Sequence, residues 1–278
     1  MLYVLFAALC SVLVSVLLKL AKRSGIDVGQ AVAWNYVATL ALTLFALRPS
    51  PEPLRHADAP WFALAALGVL LPTIFLTLAT SVRHAGIVRS DAAQRLSLMI
   101  PLLAAFTLFG QPAEGTKLFG CALGLLALTC MVWHADSSDE RTGWGWPLAV
   151  FAGFGMIDVL FKRVAAAGLP LGSSLLAVFA LALVVAFAIE LARGLRFTLR
   201  SALGGLLLGL CNFGNILFYL RAHRALPEQP ALVFASMNLG VVALGALVGM
   251  ALFKERLSRT NALGLLLALA AIALLACA

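Results

Sequence analysis

One carboxylate and one ammonium group lie close together in an otherwise apolar stretch of this sequence. Asp158 and Lys162 are four residues apart within residues 144–162, so a helix would place both on one face. An ionised carboxylate at mid-membrane costs roughly 2.5–3.5 kcal/mol on insertion scales, and such groups persist mainly where they face a cavity or a partner. Two interpretations follow. Asp158 carries a proton or binds a substrate charge, or the two residues form an internal ion pair that fixes the helix.

Amide side chains also occur within apolar stretches, and two of them share a helix face with a tyrosine. Asn212, Asn215 and Tyr219 are spaced i, i+3, i+7, which places them in one polar stripe on a helix. Asn35 and Asn238 lie in two other apolar stretches. Buried amides need partners. The stripe therefore indicates either a wet cavity that binds substrate or hydrogen bonds between helices without a ligand.

Aromatic side chains flank one of these amides. Trp34 and Tyr36 stand on either side of Asn35. Small-molecule sites combine apolar walls with a few polar groups, so this triplet is a candidate part of a substrate pocket. Plain packing between helices is the other interpretation.

Charged residues also gather at the ends of the first, third and fourth apolar stretches. Lys19 ends the first, Arg83 closes the third, and Asp91 and Arg95 begin the fourth. Together with Asp158 and Lys162, these residues are candidates for coupling or gating. Ordinary solvated helix ends would show the same residue types.

The elements that position these residues are predicted to be transmembrane helices. The chain is 63% hydrophobic and 12% charged, compared with roughly 45–50% apolar and about 25% charged in a soluble domain. A spanning helix needs about 20 mostly apolar residues, and backbone groups in lipid must be paired within the helix. Ten such stretches predict an all-α integral membrane protein, and they are residues 2–21, 28–47, 60–80, 92–110, 116–134, 144–162, 170–192, 201–221, 230–252 and 260–277.

Several other classes of protein and site are not expected. The net charge of +8 comes from cations scattered singly among short connections, so no nucleic-acid partner is predicted. The five cysteines lie in apolar stretches without CxxC spacing, which predicts neither a disulfide nor a metal site. Because no GxSxG or HExxH motif occurs, we predict no enzyme and no cofactor. The expected partners are a small-molecule substrate and the lipid bilayer.

The two halves of the chain resemble each other. Leu108-Phe109-Gly110-Gln111-Pro112 matches Leu252-Phe253-Lys254-Glu255-Arg256 at an offset of 144 residues, and Val16-Leu17-Leu18-Lys19 matches Val159-Leu160-Phe161-Lys162 at 143. Two repeats are therefore predicted, at 1–140 and 141–278. Each contains five spans, an odd number, so the second must enter the membrane from the opposite side. Inverted repeats with a substrate site between them are typical of secondary transporters.

The second of these motifs also resembles a known signature. The stretch that ends Phe253-Lys254-Glu255-Arg256-Leu257, followed by Gly264, is similar to the repeat signature of the EamA branch of the drug/metabolite transporter superfamily. The first copy has Gln111 where that family usually has an acid. The resemblance implies ten helices in two inverted five-helix repeats around a central cavity, and export or exchange of small metabolites or drugs. Glu255 itself is expected to pair with its neighbours Lys254 and Arg256.

Orientation is predicted differently by charge and by resemblance. Of the twenty Lys and Arg residues, thirteen lie in odd-numbered connections, which indicates that both termini are outside. The resemblance implies cytoplasmic termini. We predict a multi-pass inner-membrane transporter, an exporter working by alternating access. The alternatives are a flippase for a lipid or lipid-linked sugar, an intramembrane enzyme, and a membrane scaffold that transports nothing.

Overall fold

The computed structural model describes most of the chain. The described residues are 2–21, 23–55, 59–100, 103, 115–133, 145–194, 196–226, 230–255 and 257–277. Over these ranges the chain forms ten α-helices and no β-strand. The helices are α1 (Leu2–Ala21), α2 (Val28–Leu47), α3 (Trp61–His84), α4 (Ile87–Leu96), α5 (Gly115–Trp133), α6 (Gly145–Ala166), α7 (Leu171–Ala192), α8 (Leu199–Ala225), α9 (Pro230–Phe253) and α10 (Arg259–Cys277).

Many of these helices are long and apolar enough to cross a bilayer. Six segments of at least 18 residues qualify by length and hydropathy. They are Leu2–Ala21, Val28–Leu47, Trp61–His84, Leu171–Ala192, Leu199–Ala225 and Ser236–Phe253. Helices of this kind satisfy all of their backbone groups internally, as hydrocarbon requires. The chain is therefore a multi-pass helical membrane protein, which confirms the predicted helical class.

The fourth helix differs from its predicted bounds. It begins at Ile87 rather than at residue 92. Its first backbone amides donate hydrogen bonds to a side chain from a distant part of the chain, which is described below. Much of the remainder of that predicted span, and the predicted boundary between repeats at residue 140, lie outside the described residues.

Contacts between connecting segments define two faces of the molecule. Arg200 donates to the Ser24 carbonyl, Glu255 reaches the start of α4, and Lys19 near the end of α1 pairs with Glu255. The connections after α1, α3, α7 and α9 thus lie on one side, called here the odd face. On the other side, the even face, Ser173 donates to the Ser50 carbonyl at 2.8 Å.

The helices pack around α1, α2, α3 and α8. Helix α8 contacts α1 and α2, while α3 contacts α6 and α7, and α9 contacts α1 and α4. Glycines allow α2 and α8 to approach closely, because a Cβ at Gly205 would lie 2.5 Å from the Ala31 carbonyl oxygen and one at Gly209 would lie 2.6 Å from that of Asn35. Small residues at such crossings are a common feature of membrane helix pairs. This packing brings α1, α2, α3, α4, α6, α7, α8 and α9 around one cavity.

Candidate functional site: a two-part cavity between the helices

The cavity consists of two adjoining compartments. The polar compartment, with a volume of about 210 Å³, is lined by residues of α4, α6, α8 and α9. The apolar compartment, of about 130 Å³, is lined mainly by aromatic and aliphatic side chains from α1, α2, α3, α6, α7 and α8. Gln94, Phe154 and Asn215 line both. Because these walls are shared, one ligand could occupy both compartments.

Half of the predicted substrate residues meet in the polar compartment. Asp158, Asn215, Tyr219 and Asn238 all line it, together with Arg95. Asp158 lines this compartment, so a ligand there can contact its side chain. Two opposite charges therefore face one polar space, and amide and phenol groups surround them.

Arg95 is held in place by neighbours from two other helices. Its guanidinium donates to the Ser11 hydroxyl at 2.5 Å and to Asn238 Oδ1 at 3.4 Å. Its Nε has no hydrogen-bond partner within the described part of the chain. A partly buried guanidinium with an unused donor is suited to an anionic ligand group, because its planar fork matches a carboxylate.

Tyr36 forms part of the wall of the apolar compartment. It is fully buried, and its ring lies 6.3 Å from the ring of Phe75 and 6.2 Å from that of Phe179, centroid to centroid. No partner for its hydroxyl group occurs among the described residues. The compartment thus combines apolar walls with one unsatisfied polar group, as small-molecule pockets commonly do.

Asn35 and Trp34 do not line either compartment. Asn35 is fully buried and its Oδ1 accepts a hydrogen bond from Asn212 Nδ2 at 3.2 Å, which is the interhelical interpretation of this amide. Trp34 packs edge-on against Phe187, with 5.6 Å between ring centroids. Successive helix residues point about 100° apart, so the triplet 34–36 cannot present all its side chains to one pocket. Of the triplet only Tyr36 lines the cavity, while Asn212 lines it from α8.

The predicted gating residues separate into different places. Asp91 is buried and accepts a hydrogen bond from the Ser15 hydroxyl at 2.6 Å, so it is not part of a solvated helix end. Lys19 lies one layer further toward the odd face, where it pairs with Glu255. Lys162 is exposed and lines neither compartment.

Arg83 lies apart from this group. It lines a separate cavity of about 480 Å³ at the odd face, between the start of α2 and the ends of α3 and α7. Asp27 and Arg193 line the same cavity, and Arg193 also pairs with Glu190 at 2.7 Å. That hydrogen bond raises the pKa of Arg193 above its ordinary value, so this cation stays charged.

Among the described contacts Glu255 does not pair with its neighbour Lys254 as expected, and its other expected partner, Arg256, lies outside the described residues. The Glu255 carboxylate accepts hydrogen bonds from Lys19 Nζ and from the backbone amides of Ile87 and Val88. Lys254 takes a left-handed backbone conformation, with φ at 52°. This turn ends α9 and directs the next residue across to α1 and α4.

Sequence reasoning missed the serines that complete this arrangement. Ser11, Ser15 and Lys19 are spaced four residues apart on α1, and each contacts a polar group that belongs to α4 or lies at its start. The spacing is visible in the sequence as a polar stripe. Serine is common in membrane helices as a packing residue, and so the stripe gave no signal of a charged partner.

Comparison with known proteins identifies relatives of this chain. A Haemophilus influenzae protein, described only as an uncharacterized protein, is 41% identical over 278 residues, which covers 96% of this chain and 95% of that protein. A solved crystal structure aligns with a TM-score of 0.56 at 16% identity, over 98% of this chain and 95% of that one. At that identity the structural match shows the fold alone. No family model matches the sequence.

Proposed function

We propose that this chain, which belongs to the same family as the uncharacterized Haemophilus influenzae protein, is a secondary transporter for a small metabolite or drug. The observation behind the proposal is the two-part cavity inside a multi-pass helical protein, with Arg95 and Asp158 facing its polar compartment. Ionisable groups within membrane helices usually mark substrate or ion pathways.

The surroundings of the cavity support an alternating-access mechanism. On the odd-face side, the buried pair Ser15–Asp91 and the partly buried pair Lys19–Glu255 lie beyond Arg95. On the even-face side, Asp158 is exposed, and Tyr219 is six residues, about 9 Å along the helix axis, from the end of α8. A cavity closed on one face and open on the other is one of the two conformations that such a carrier needs.

Two inverted five-helix repeats, α1–α5 and α6–α10, are part of the proposal. Their support is the pattern of helix pairs. Helix α1 packs on α8 and α9 as α6 packs on α3 and α4, and α2 packs on α8 as α7 packs on α3. The pairs α2 with α7, α4 with α9, and α5 with α10 each join a helix to its counterpart. A pseudo-two-fold axis that exchanges the two halves of the chain would produce these matching helix pairs.

Membership of the EamA branch of the drug/metabolite transporter superfamily is proposed on the same grounds. Ten described helices, the exchange of helix pairs and the Phe253-Lys254-Glu255-Arg256-Leu257 motif all agree with it. We place the protein in the inner membrane as an exporter, with coupling to protons through Asp158.

The cavity also suggests the shape of the substrate. Arg95 and Asp158 offer one positive and one negative partner in the polar compartment, while Tyr36, Phe75 and Phe179 wall the apolar one. A small amphipathic molecule with a charged or polar end and an apolar body of about one ring would satisfy both.

Transport in proteoliposomes tests the proposal. A panel of labelled amino acids, cationic drugs and sugars would be offered with and without a pH gradient, to wild-type protein and to Asn215→Leu, which fills the space between the compartments. Saturable uptake of one class that Asn215→Leu abolishes is the expected result. Silence across the panel, together with movement of a labelled lipid between leaflets, would replace the carrier with a flippase.

A further inference from the structure

The start of α4 depends on a carboxylate from another part of the chain. Gly86 precedes the helix and offers no side chain to its first amides, although the first amides of any helix need acceptors. Glu255 supplies them, at 2.8 Å from the Ile87 nitrogen and 3.3 Å from that of Val88. A carboxylate at this end of a helix also interacts favourably with the helix dipole.

The backbone leaves space for that carboxylate. A Cβ on Gly86 would lie 2.7 Å from Glu255 Oε2, and one on Gly249 would lie 2.9 Å from it. Gly86 has φ at 90°, a conformation that favours glycine. Two glycines from different helix ends therefore surround the Glu255 carboxylate, and Lys19 of α1 closes the arrangement from a third side.

We propose that Glu255 is the latch of the odd face, and that its release from Lys19 and from the start of α4 opens the cavity to that side. The inference rests on the proposed transport function, which needs one face to open as the other closes. Glu255 lies in the α9–α10 connection, and its side chain contacts both α1 and the start of α4. Among the described contacts, no other side chain joins these three segments. Phe253 adds to the latch, since its ring lies 4.6 Å from the Lys19 ammonium.

The position of the latch favours reversible opening. The side chains of Lys19 and Glu255 are 18% and 13% exposed, so water can replace each partner as the pair separates. A fully buried pair would leave uncompensated charges when broken, at a much higher cost. The Ser15–Asp91 pair beneath it is deeper and separates after the latch is released.

The two halves of the chain differ at this position. Glu255 aligns with Gln111, and Lys19 aligns with Lys162, in the two matching motifs. Gln111 lies outside the described residues, but its side chain is neutral. At the matching position of the second face, the carboxylate of the latch is therefore replaced by a neutral amide in the sequence, and the conformation closed on the odd face is expected to be the more populated one.

Spin labels measure the two faces independently of any substrate. One pair, on Ser24 and Leu252, reports the odd face, and a second pair, on Ala166 and Arg221, reports the even face. The five native cysteines are first replaced by alanine. Distance distributions are then compared for three proteins: the wild type, Glu255→Gln, and Lys254→Gln, which removes a neighbouring exposed charge.

The expected result is a change in Glu255→Gln alone. Losing a hydrogen bond to a charged group shifts an equilibrium by about tenfold or more, so the odd-face distances should lengthen and the even-face distances should shorten. Distributions that stay at the wild-type values, or an equal shift in Lys254→Gln, would overturn the latch. If Glu255→Gln folds poorly, Lys19→Met is measured instead. This variant leaves Glu255 bound to the start of α4, so it should shift the same distances in the same direction but by less.

The outcomes separate the latch from the transport function. If the wild type moves solute and Glu255→Gln leaves both distances unchanged, the latch is wrong and the carrier stands. If the distances shift as expected while no solute moves in proteoliposomes, the latch stands and the proposed function fails.

Discussion

Replacing Gly209 by alanine tests the helix crossing that forms one wall of the cavity. The new Cβ would lie 2.6 Å from the Asn35 carbonyl oxygen and 2.6 Å from the Ala38 Cβ, compared with about 3.5 Å for an ordinary contact between carbon atoms. Helices α2 and α8 must then separate by about 1 Å. Overpacking of this kind costs about 1–3 kcal/mol.

The same separation also disturbs the Asn35–Asn212 hydrogen bond, which is 3.2 Å long. Hydrogen bonds between membrane helices contribute about 0.6–1.7 kcal/mol. Because alanine also favours a helix over glycine by about 1 kcal/mol, the net loss of folding free energy for Gly209→Ala is about 1–4 kcal/mol. In detergent-solubilised protein the thermal unfolding midpoint should fall by up to about 10 °C, as measured by size-exclusion chromatography after heating.

Gly240→Ala is the matched control, since its Cβ would lie 3.5 Å from the Ala8 Cβ, an ordinary contact. Alanine favours a helix over glycine by about 1 kcal/mol, so this variant should unfold at the wild-type temperature or slightly above it. Equal midpoints for Gly209→Ala and Gly240→Ala would show that the α2–α8 crossing is described wrongly.

Three further changes probe the cavity and the odd face. Ser15→Ala should lower stability by about 1–3 kcal/mol, because the Asp91 carboxylate loses its donor; Ser174→Ala, which removes only a bond within its own helix, should change it much less in the same unfolding assay. Tyr36→Phe should leave stability unchanged, since the hydroxyl has no hydrogen-bond partner in the described part of the chain, but it should alter the apparent affinity for substrate in a binding titration. Asp158→Asn should remove the dependence of transport on the pH gradient, and an unchanged dependence would exclude proton coupling at this residue.

Hydropathy predicts the helices well. The positions of the polar side chains within the helices are predicted less completely. A stretch of about 20 apolar residues has one stable conformation in lipid, so the bounds of α1, α2 and α7 follow closely from the sequence. Asp158, Asn215 and Tyr219 are all predicted as substrate residues from the sequence. Helical spacing marks Asn215 and Tyr219, and Asp158 is marked as a charge within an apolar stretch. The structure brings all three to the polar compartment.

Contacts between distant segments account for what the sequence could not predict. Helix α4 begins at Ile87 because Glu255, 168 residues further along the chain, accepts a hydrogen bond from the first backbone amide of the helix. Trp34 points away from the cavity and packs against Phe187 of α7. The position of α7 relative to α2 is not encoded in the local sequence around Trp34. Ser15 gains its role only from Asp91 on a neighbouring helix. None of these partners can be read from local periodicity.

An exchange assay tests the alternating-access proposal most directly. Proteoliposomes are preloaded with the unlabelled form of whichever solute the panel identifies, and the initial rate of labelled uptake is compared with that into empty vesicles. A carrier whose cavity opens to one face at a time should take up label faster when solute waits on the far side, because the loaded protein returns more readily. Uptake that is linear in concentration and indifferent to internal solute would contradict alternating access and indicate a continuous pore.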